Sequence, residues 1–204
     1  MPIYNAPLAD MKFILNDVFN ADQFWQSNEN LAHVDSATAE AILEEMAKFA
    51  QNVTLPLNRT GDEEGATFSN GAVTTPAGFK EAFKQYAEGG WIGLAADEEW
   101  GGQGMPKMLT VLADEMLFAT NPSFMLYPLL SVGAGMALNS YASQEQKETY
   151  LPKIYSGEWS GTMCLTEPHA GTDLGIIKTK AERNEDGTYN ITGTKIFITG
   201  GDHD

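Results

Sequence analysis

Near residue 157 the chain changes periodicity, and that change decides what it can fold into. Before it, apolar residues recur every three or four positions, the repeat of a helix with one buried face. After it come short alternating runs bounded by turn residues, the repeat of strands. Helices followed by strands define an α+β chain with the two kinds of structure segregated.

Residues 1–34 read as an N-terminal extension, with Leu8, Met11, Leu15 and Val18 on one helical face and Asp22–Trp25 as a second short helix. A helical domain over 35–157 follows. Asp35 or Ser36 caps its first helix, Ile42, Met46, Phe49 and Val53 share a face, and Pro56 is expected to end it. Residues 58–74, rich in Gly, Asn, Thr and acids, predict a loop. Thr75-Pro76 predicts the start of a helix carrying Phe79, Phe83 and Tyr86 and closed by Gly89-Gly90. A Gly-rich connector, 91–104, leads to Pro106 and a helix with Leu109, Leu112 and Met116. Asn121-Pro122 opens the next helix, through Leu126, Leu130 and Met136. Ser143 with Gln146 forms a capping box for a last helix with Tyr150, Leu151 and Ile154, ended by Gly157. Phe49, Phe83, Met116 and Met136 are expected in the core.

Beyond residue 158 the sequence predicts strands at 160–165, 176–183 and 189–199. Asn184-Glu185-Asp186-Gly187 is the hairpin turn between the last two. Three short strands leave edges and a bare face. The stretch 158–204 is therefore expected to be an incomplete β-domain, and the 204 residues the front of a longer protein.

Charge narrows the partners. Twelve Lys and Arg against 28 Asp and Glu give −16, which argues against nucleic acid and against anionic membrane surfaces. No apolar run approaches the roughly 18 residues of a membrane span. The start has no secretory pattern, and the single Cys164 forms no intrachain disulfide, so a cytoplasmic location is expected. His33, His169 and His203 lack ligand spacing, so no metal site is expected.

Two segments carry chemistry. Thr166-Glu167-Pro168-His169-Ala170-Gly171-Thr172-Asp173 leaves a predicted strand and enters a loop of small and hydroxyl residues. It suits two readings: successive amides cradling an anion such as a pyrophosphate, or a plain connecting loop with local side-chain turns. In Thr194-Lys195-Ile196-Phe197-Ile198-Thr199, strand alternation puts Phe197, Thr199 and Lys195 on one side. That face could receive a flat heteroaromatic ring, or simply pack on its own sheet.

At this point the chain resembles the acyl-CoA dehydrogenase family of flavoproteins. Met163-Cys164-Leu165-Thr166-Glu167-Pro168-His169-Ala170-Gly171-Thr172-Asp173 is similar to the family's flavin-binding signature, and Gly193–Thr199 to the strand that follows. Gly90–Leu94 with Glu99–Gly102, and Gln144 through Ile154 with Ser156–Glu158, fit upstream stretches in the right order. The extension, with Tyr4, Ala6-Pro7-Leu8 and Phe13, resembles the longer members, some acting on methylthiopropanoyl-CoA and others on fatty acyl-CoA.

The resemblance implies an N-terminal helical domain, a middle β-barrel-like domain begun here, and a C-terminal helical bundle beyond this chain. It implies FAD as cofactor and α,β-dehydrogenation of an acyl-CoA. It also implies an electron-transfer flavoprotein or equivalent acceptor, and a homodimer or homotetramer of the full-length protein. Leu165 and Thr166 would meet the flavin's pyrimidine side, Thr199 the N5 region, and Phe197 the ring face away from substrate. Gly171 and Thr172 would face a pyrophosphate, with Thr172 also among the substrate contacts, and Met163 would line the pocket. Met163, His169 and Phe197 replace the family's usual aromatic, small residue and Trp, so altered packing is expected. The catalytic base belongs to the C-terminal domain, and no catalytic residue is assigned here.

Other residues have bland readings. Asp97, Glu98 and Glu99 read as a solvated acidic loop, Cys164 as a buried mid-strand thiol, and Gly200-Gly201 as no phosphate loop. Segment 124–136 suits either core packing or the lining of an acyl tunnel. An acyl-CoA oxidase on the same fold and a non-catalytic helical interaction module are the alternative functions.

Overall fold

The computed structural model describes residues 3–204; Met1 and Pro2 of the predicted extension lie outside the described residues. The chain divides into two units, one running to Gly161 and including Asp202–Asp204, the other Thr162–Gly201.

In the first unit, α1 (Leu8–Phe13) runs into a π turn, Ile14–Val18, and α2 (Ala21–Gln26) follows. Met11, Leu15, Ala21 and Trp25 are buried in the same core as Val34, Leu43 and Met46. Val18, expected on the buried face, is exposed. The wider π turn changes the angular step between residues, so the face set by Leu8 and Met11 does not continue to Val18.

Asp35 caps α3 (Ser36–Phe49): its carboxylate accepts from the Thr38 amide at 2.7 Å. Pro56 does not end the run. A π turn at Ala50–Thr54 leads directly into α4 (Leu55–Glu64), where Pro56 occupies the first turn. The π turn bonds the Leu55 amide to the Ala50 carbonyl five residues back, and this wider step lets the helix run on through a residue that has no N–H. The predicted loop over 58–74 is instead the end of α4 and a hairpin of β1 (Thr67–Ser69) and β2 (Ala72–Thr74). Asn70 and Gly71 turn it with φ of 53° and 84°, the left-handed pair a two-residue hairpin favours. α5 (Phe79–Glu88) starts after Gly78, not at Thr75-Pro76. The Thr75 amide and hydroxyl donate instead to the Asp204 carboxylate.

The Gly-rich connector coils into 3-10 turns at Trp91–Gly93 and Glu98–Trp100. α6 (Lys107–Thr120) buries Leu109, Leu112 and Met116 as expected. α7 (Pro122–Tyr141) is capped by Asn121, which accepts from the Phe124 amide at 3.0 Å. Its buried side is Phe124, Met125, Pro128, Ser131 and Gly135. Met136, expected in the core, is exposed: with Gly and Ala on several sides, apolar spacing alone did not fix the inward face. Thr54, Thr120 and Asn121 join α6 and α7 to the π turn. The two threonine hydroxyls are 2.7 Å apart, and Asn121 donates to the Thr54 carbonyl at 3.2 Å, all buried. α8 (Gln144–Tyr155) has the capping box of Ser143 and Gln146, and Gly157 follows it with φ 77°.

The second unit holds one hairpin, β3 (Lys180–Arg183) with β4 (Tyr189–Thr192), antiparallel, Lys180 opposite Thr192 and Arg183 opposite Tyr189. Its turn is the predicted one, with Gly187 at φ 87°. The predicted strands are longer than the observed ones. Residues 160–165 and 193–199 form no ladder, and Leu174–Ile176 is a 3-10 turn. Extended runs register as strands only where a neighbour completes the hydrogen-bond ladder.

Candidate functional site

The two motif segments lie side by side within the second unit. The Thr162 hydroxyl donates to the Thr199 carbonyl at 2.6 Å, the Ile196 amide to the Thr166 carbonyl at 3.0 Å, and Lys195 Nζ to the Leu165 carbonyl at 2.9 Å. Residue 162 faces 199 and residue 166 faces 196, an antiparallel course without a regular ladder.

Between them the groups a ligand could use are open. Among the described residues, the amides of Met163, Cys164, Leu165 and Thr166 donate to no acceptor, and neither do those of Gly171, Thr172 and Asp173. Met163 and Phe197 are 64% and 87% exposed. Leu165 and Thr166 are half-buried, while Gly171, Thr172 and Thr199 are exposed. A β-carbon added at Gly171 would meet nothing within 4 Å, so the backbone there can be approached closely. Gly171 and Thr172 make no hydrogen bond with either segment among the described residues.

Two expectations change. Phe197, Thr199 and Lys195 do not share one face by alternation, because Phe197 adopts φ 56°. That left-handed residue breaks the side-to-side alternation of the run, and Lys195 turns inward while Phe197 stays exposed. Cys164 is exposed and outside any strand, not a buried mid-strand thiol.

Sequence reasoning missed the most tightly held group of the unit. Glu167 is 3% exposed. Its carboxylate accepts from the Lys178 amide at 2.8 Å, the Thr179 amide at 2.9 Å and Lys195 Nζ at 2.9 Å, with His169 Nε2 at 3.4 Å. The Thr179 hydroxyl beside it, the Lys178 amide, Lys195 and the Thr179 amide hold the carboxyl far below the usual carboxylate range, against its burial. The hydroxyl makes no well-aligned hydrogen bond, so the two amides and the ammonium are the firm anchors. Glu167 and Ala170 exchange backbone hydrogen bonds at 2.9 and 3.0 Å, closing the turn before Gly171. The one signal in the sequence was an acid and a lysine standing in the two motifs themselves.

A group with a depressed folded pKa stabilises above its unfolded value, about 4.3 for Glu, and that contribution fades as pH falls through the lower folded value. The shift of the Lys178 and Thr179 amide resonances that reports protonation of the carboxylate is therefore expected only in acid stronger than the ordinary Glu range. A midpoint near the ordinary carboxylate value would contradict this anchoring.

The first unit contains a cavity of about 1030 Å³. Met125, Leu129, Val132 and Met136 of α7 line it together with Tyr86 and Trp91, and so do Asp97, Glu98, Glu99 and Asp114. Burial pushes the Asp114 carboxyl at its wall upward, opposed by Lys107. Asp97, Glu98 and Glu99 are exposed, as a solvated acidic loop should be. Among the described residues no group of three His, Cys, Asp or Glu is placed to hold a metal, and no helix is long and apolar enough to cross a membrane.

A helical domain followed by two paired extended segments with open amides and hydroxyls is the front part of a known class of enzyme. The family model for the acyl-CoA dehydrogenase N-terminal domain matches residues 36–158, and the chain belongs to the acyl-CoA dehydrogenase family. The 3-methylmercaptopropionyl-CoA dehydrogenase of Ruegeria pomeroyi is 42% identical over 201 residues, covering 98% of this chain and 34% of that protein. Butyryl-CoA dehydrogenase from Megasphaera elsdenii superposes with a TM-score of 0.69 at 28% identity, covering 80% of this chain and 41% of that one. An acyl-CoA dehydrogenase from Bacillus anthracis, solved in complex with FAD, superposes at 0.67 with 27% identity, covering 83% of this chain and 27% of that one. The chain thus spans about a third of the length of the curated relatives it matches.

Proposed function

We propose that this chain is the N-terminal part of an FAD-dependent acyl-CoA dehydrogenase. The observation that carries the reading is the pairing of segments 162–166 and 195–199, which sets open amides, hydroxyls and exposed apolar side chains next to one another. These residues fit one side of a flavin. When bound, FAD supplies the two-electron chemistry that removes hydride from the β-carbon of an acyl thioester.

The chain's own residues bind and orient. Leu165 and Thr166 hold the pyrimidine edge by amide and hydroxyl, and such donors stabilise negative charge there. Thr199 serves the N5 side, while Phe197 and Met163 cover apolar surface. The free amides of Gly171 and Thr172, with the Thr172 hydroxyl, suit a pyrophosphate, and Thr172 also reaches toward the CoA substrate. The apolar wall that Met125, Leu129, Val132 and Met136 give the cavity along α7 suits an acyl tail, with Asp97, Glu98, Glu99 and Asp114 on its polar side. Proton abstraction is assigned to no residue of this chain. The same reading gives the full-length protein an electron-transfer flavoprotein or equivalent acceptor, a homodimeric or homotetrameric state and a cytoplasmic location.

The full-length gene product is expected to carry the flavin absorbance bands, or to gain them with added FAD, and to lose them when Thr166 and Thr199 are both replaced by Val. A folded, colourless protein that gains no band with FAD would overturn the reading.

A further inference from the structure

Glu167 is bonded to three stretches of the second unit at once. It belongs to the 162–173 segment, it accepts from the amides of Lys178 and Thr179, and it accepts from Lys195 of the 193–199 segment. Lys195 Nζ also donates to the Leu165 carbonyl. One ammonium therefore bridges a side chain and a main-chain carbonyl of the opposite segment. Among the described residues, two other hydrogen bonds tie these segments together, the Thr162 hydroxyl bond and the Ile196 amide bond. Segments without a ladder are weakly specified in register, so the pair carries a load that a regular sheet would spread over many bonds.

We infer that the Glu167–Lys195 pair is a positioning latch, setting the register of the two extended segments so that Leu165–Thr166 and Phe197–Thr199 present their free groups together. Neither residue touches the ligand; each acts through Leu165 and its neighbours. The inference rests in part on the flavin reading, which places the pyrimidine edge at Leu165.

The opposite charges of the latch give it a signature that a purely structural contact lacks. Truncating one partner leaves the other without its counter-charge, the ammonium in a half-buried place and the carboxylate in a buried one with only its amide donors. Glu167→Gln leaves a lone ammonium one hydrogen bond from Leu165, which favours the reduced, more negative flavin. Lys195→Met leaves a lone carboxylate, which disfavours it. The double variant restores neutrality without restoring the latch.

The test has two arms. In the first, amide hydrogen exchange of the full-length protein without flavin is followed at Ile196, Lys178 and Thr179. Ile196 is expected to exchange at least tenfold faster in each single variant and in the double, with α3 and α6 unchanged. Unchanged protection of Ile196 in either single variant would overturn the latch. In the second arm, the full-length FAD-loaded protein is titrated against a redox dye. The dye equilibrium constant is expected to move at least threefold toward reduced flavin in Glu167→Gln, at least threefold the other way in Lys195→Met, and back near the parent value in the double. Both single variants moving the same way would reduce the pair to a packing contact and overturn the inference. A parent protein that binds no FAD would overturn the functional reading instead, and the exchange arm alone would then decide the latch.

Discussion

Replacing Trp25 by alanine is expected to remove about 3–5 kcal/mol of stability. Trp25 is the largest side chain that is fully buried, at 1% exposure, and it shares a core with Met11, Leu15, Val34, Leu43 and Met46. A cavity of indole size at a helix junction cannot collapse without moving α1 and α2 together. Against the 5–15 kcal/mol of a typical domain, the loss is a large fraction, and the urea midpoint should fall accordingly. Trp25→Phe separates packing from polarity. The indole N–H is buried without a partner, so the phenyl ring loses some contact but also removes an unsatisfied donor, whose burial costs about 1–3 kcal/mol. Its net cost should stay near 1 kcal/mol. An Ala variant within 1 kcal/mol of the parent would show that the first 34 residues do not complete this core. The matched family domain begins at residue 36. A chain started there would bare the side of Leu43 and Met46 now covered, and it is expected to aggregate.

How much of this was legible in the sequence depended on whether local chemistry or tertiary context decided each element. Caps were legible, because Asp35, Asn121 and Ser143 act on amides three residues away. The Asp186-Gly187 turn was legible for the same reason. Pro56 misled: the helix runs on through it because a π turn precedes it, and that turn leaves no periodic trace. Asn70-Gly71 is as strong a hairpin signal as any, but acid-rich surroundings made it read as loop. In the second unit, β-branched residues from Ile191 to Thr199 spelled a strand of which only the part facing β3 formed. Propensity describes willingness to pair, and the partner decides. The motif residues were found by resemblance, whereas Glu167 and Lys195 could be joined only by coordinates, since 28 residues separate them.

The second large effect is expected at Gly102, in a connector whose composition suggests slack and whose bonding shows none. Four backbone hydrogen bonds of 2.9 Å fold it on itself: Gly102 to Asp97, Gln103 to Gly93, Gly104 to Ala96 and Met105 to Leu94. A β-carbon at Gly102 would fall on the Ala96 carbonyl group. That neighbour is backbone held by its own hydrogen bond, so no rotamer change relieves the clash. Gly102→Ala should therefore cost about 3 kcal/mol or more, the upper range for overpacking. Gly101 is the sharper contrast. Its φ of 85° is unfavourable for any side chain, yet nothing lies within 4 Å of its β-position, so Gly101→Ala should cost only about 1–2 kcal/mol. Denaturant unfolding of the two variants side by side distinguishes close approach from dihedral freedom as the reason for glycine here. Equal losses, or a larger loss at Gly101, would mean the connector can open where the bonds say it is shut. Because Ala95 to Glu99 and Met105 also line the cavity along α7, a connector forced apart at Gly102 should alter that cavity as well as the stability of the fold.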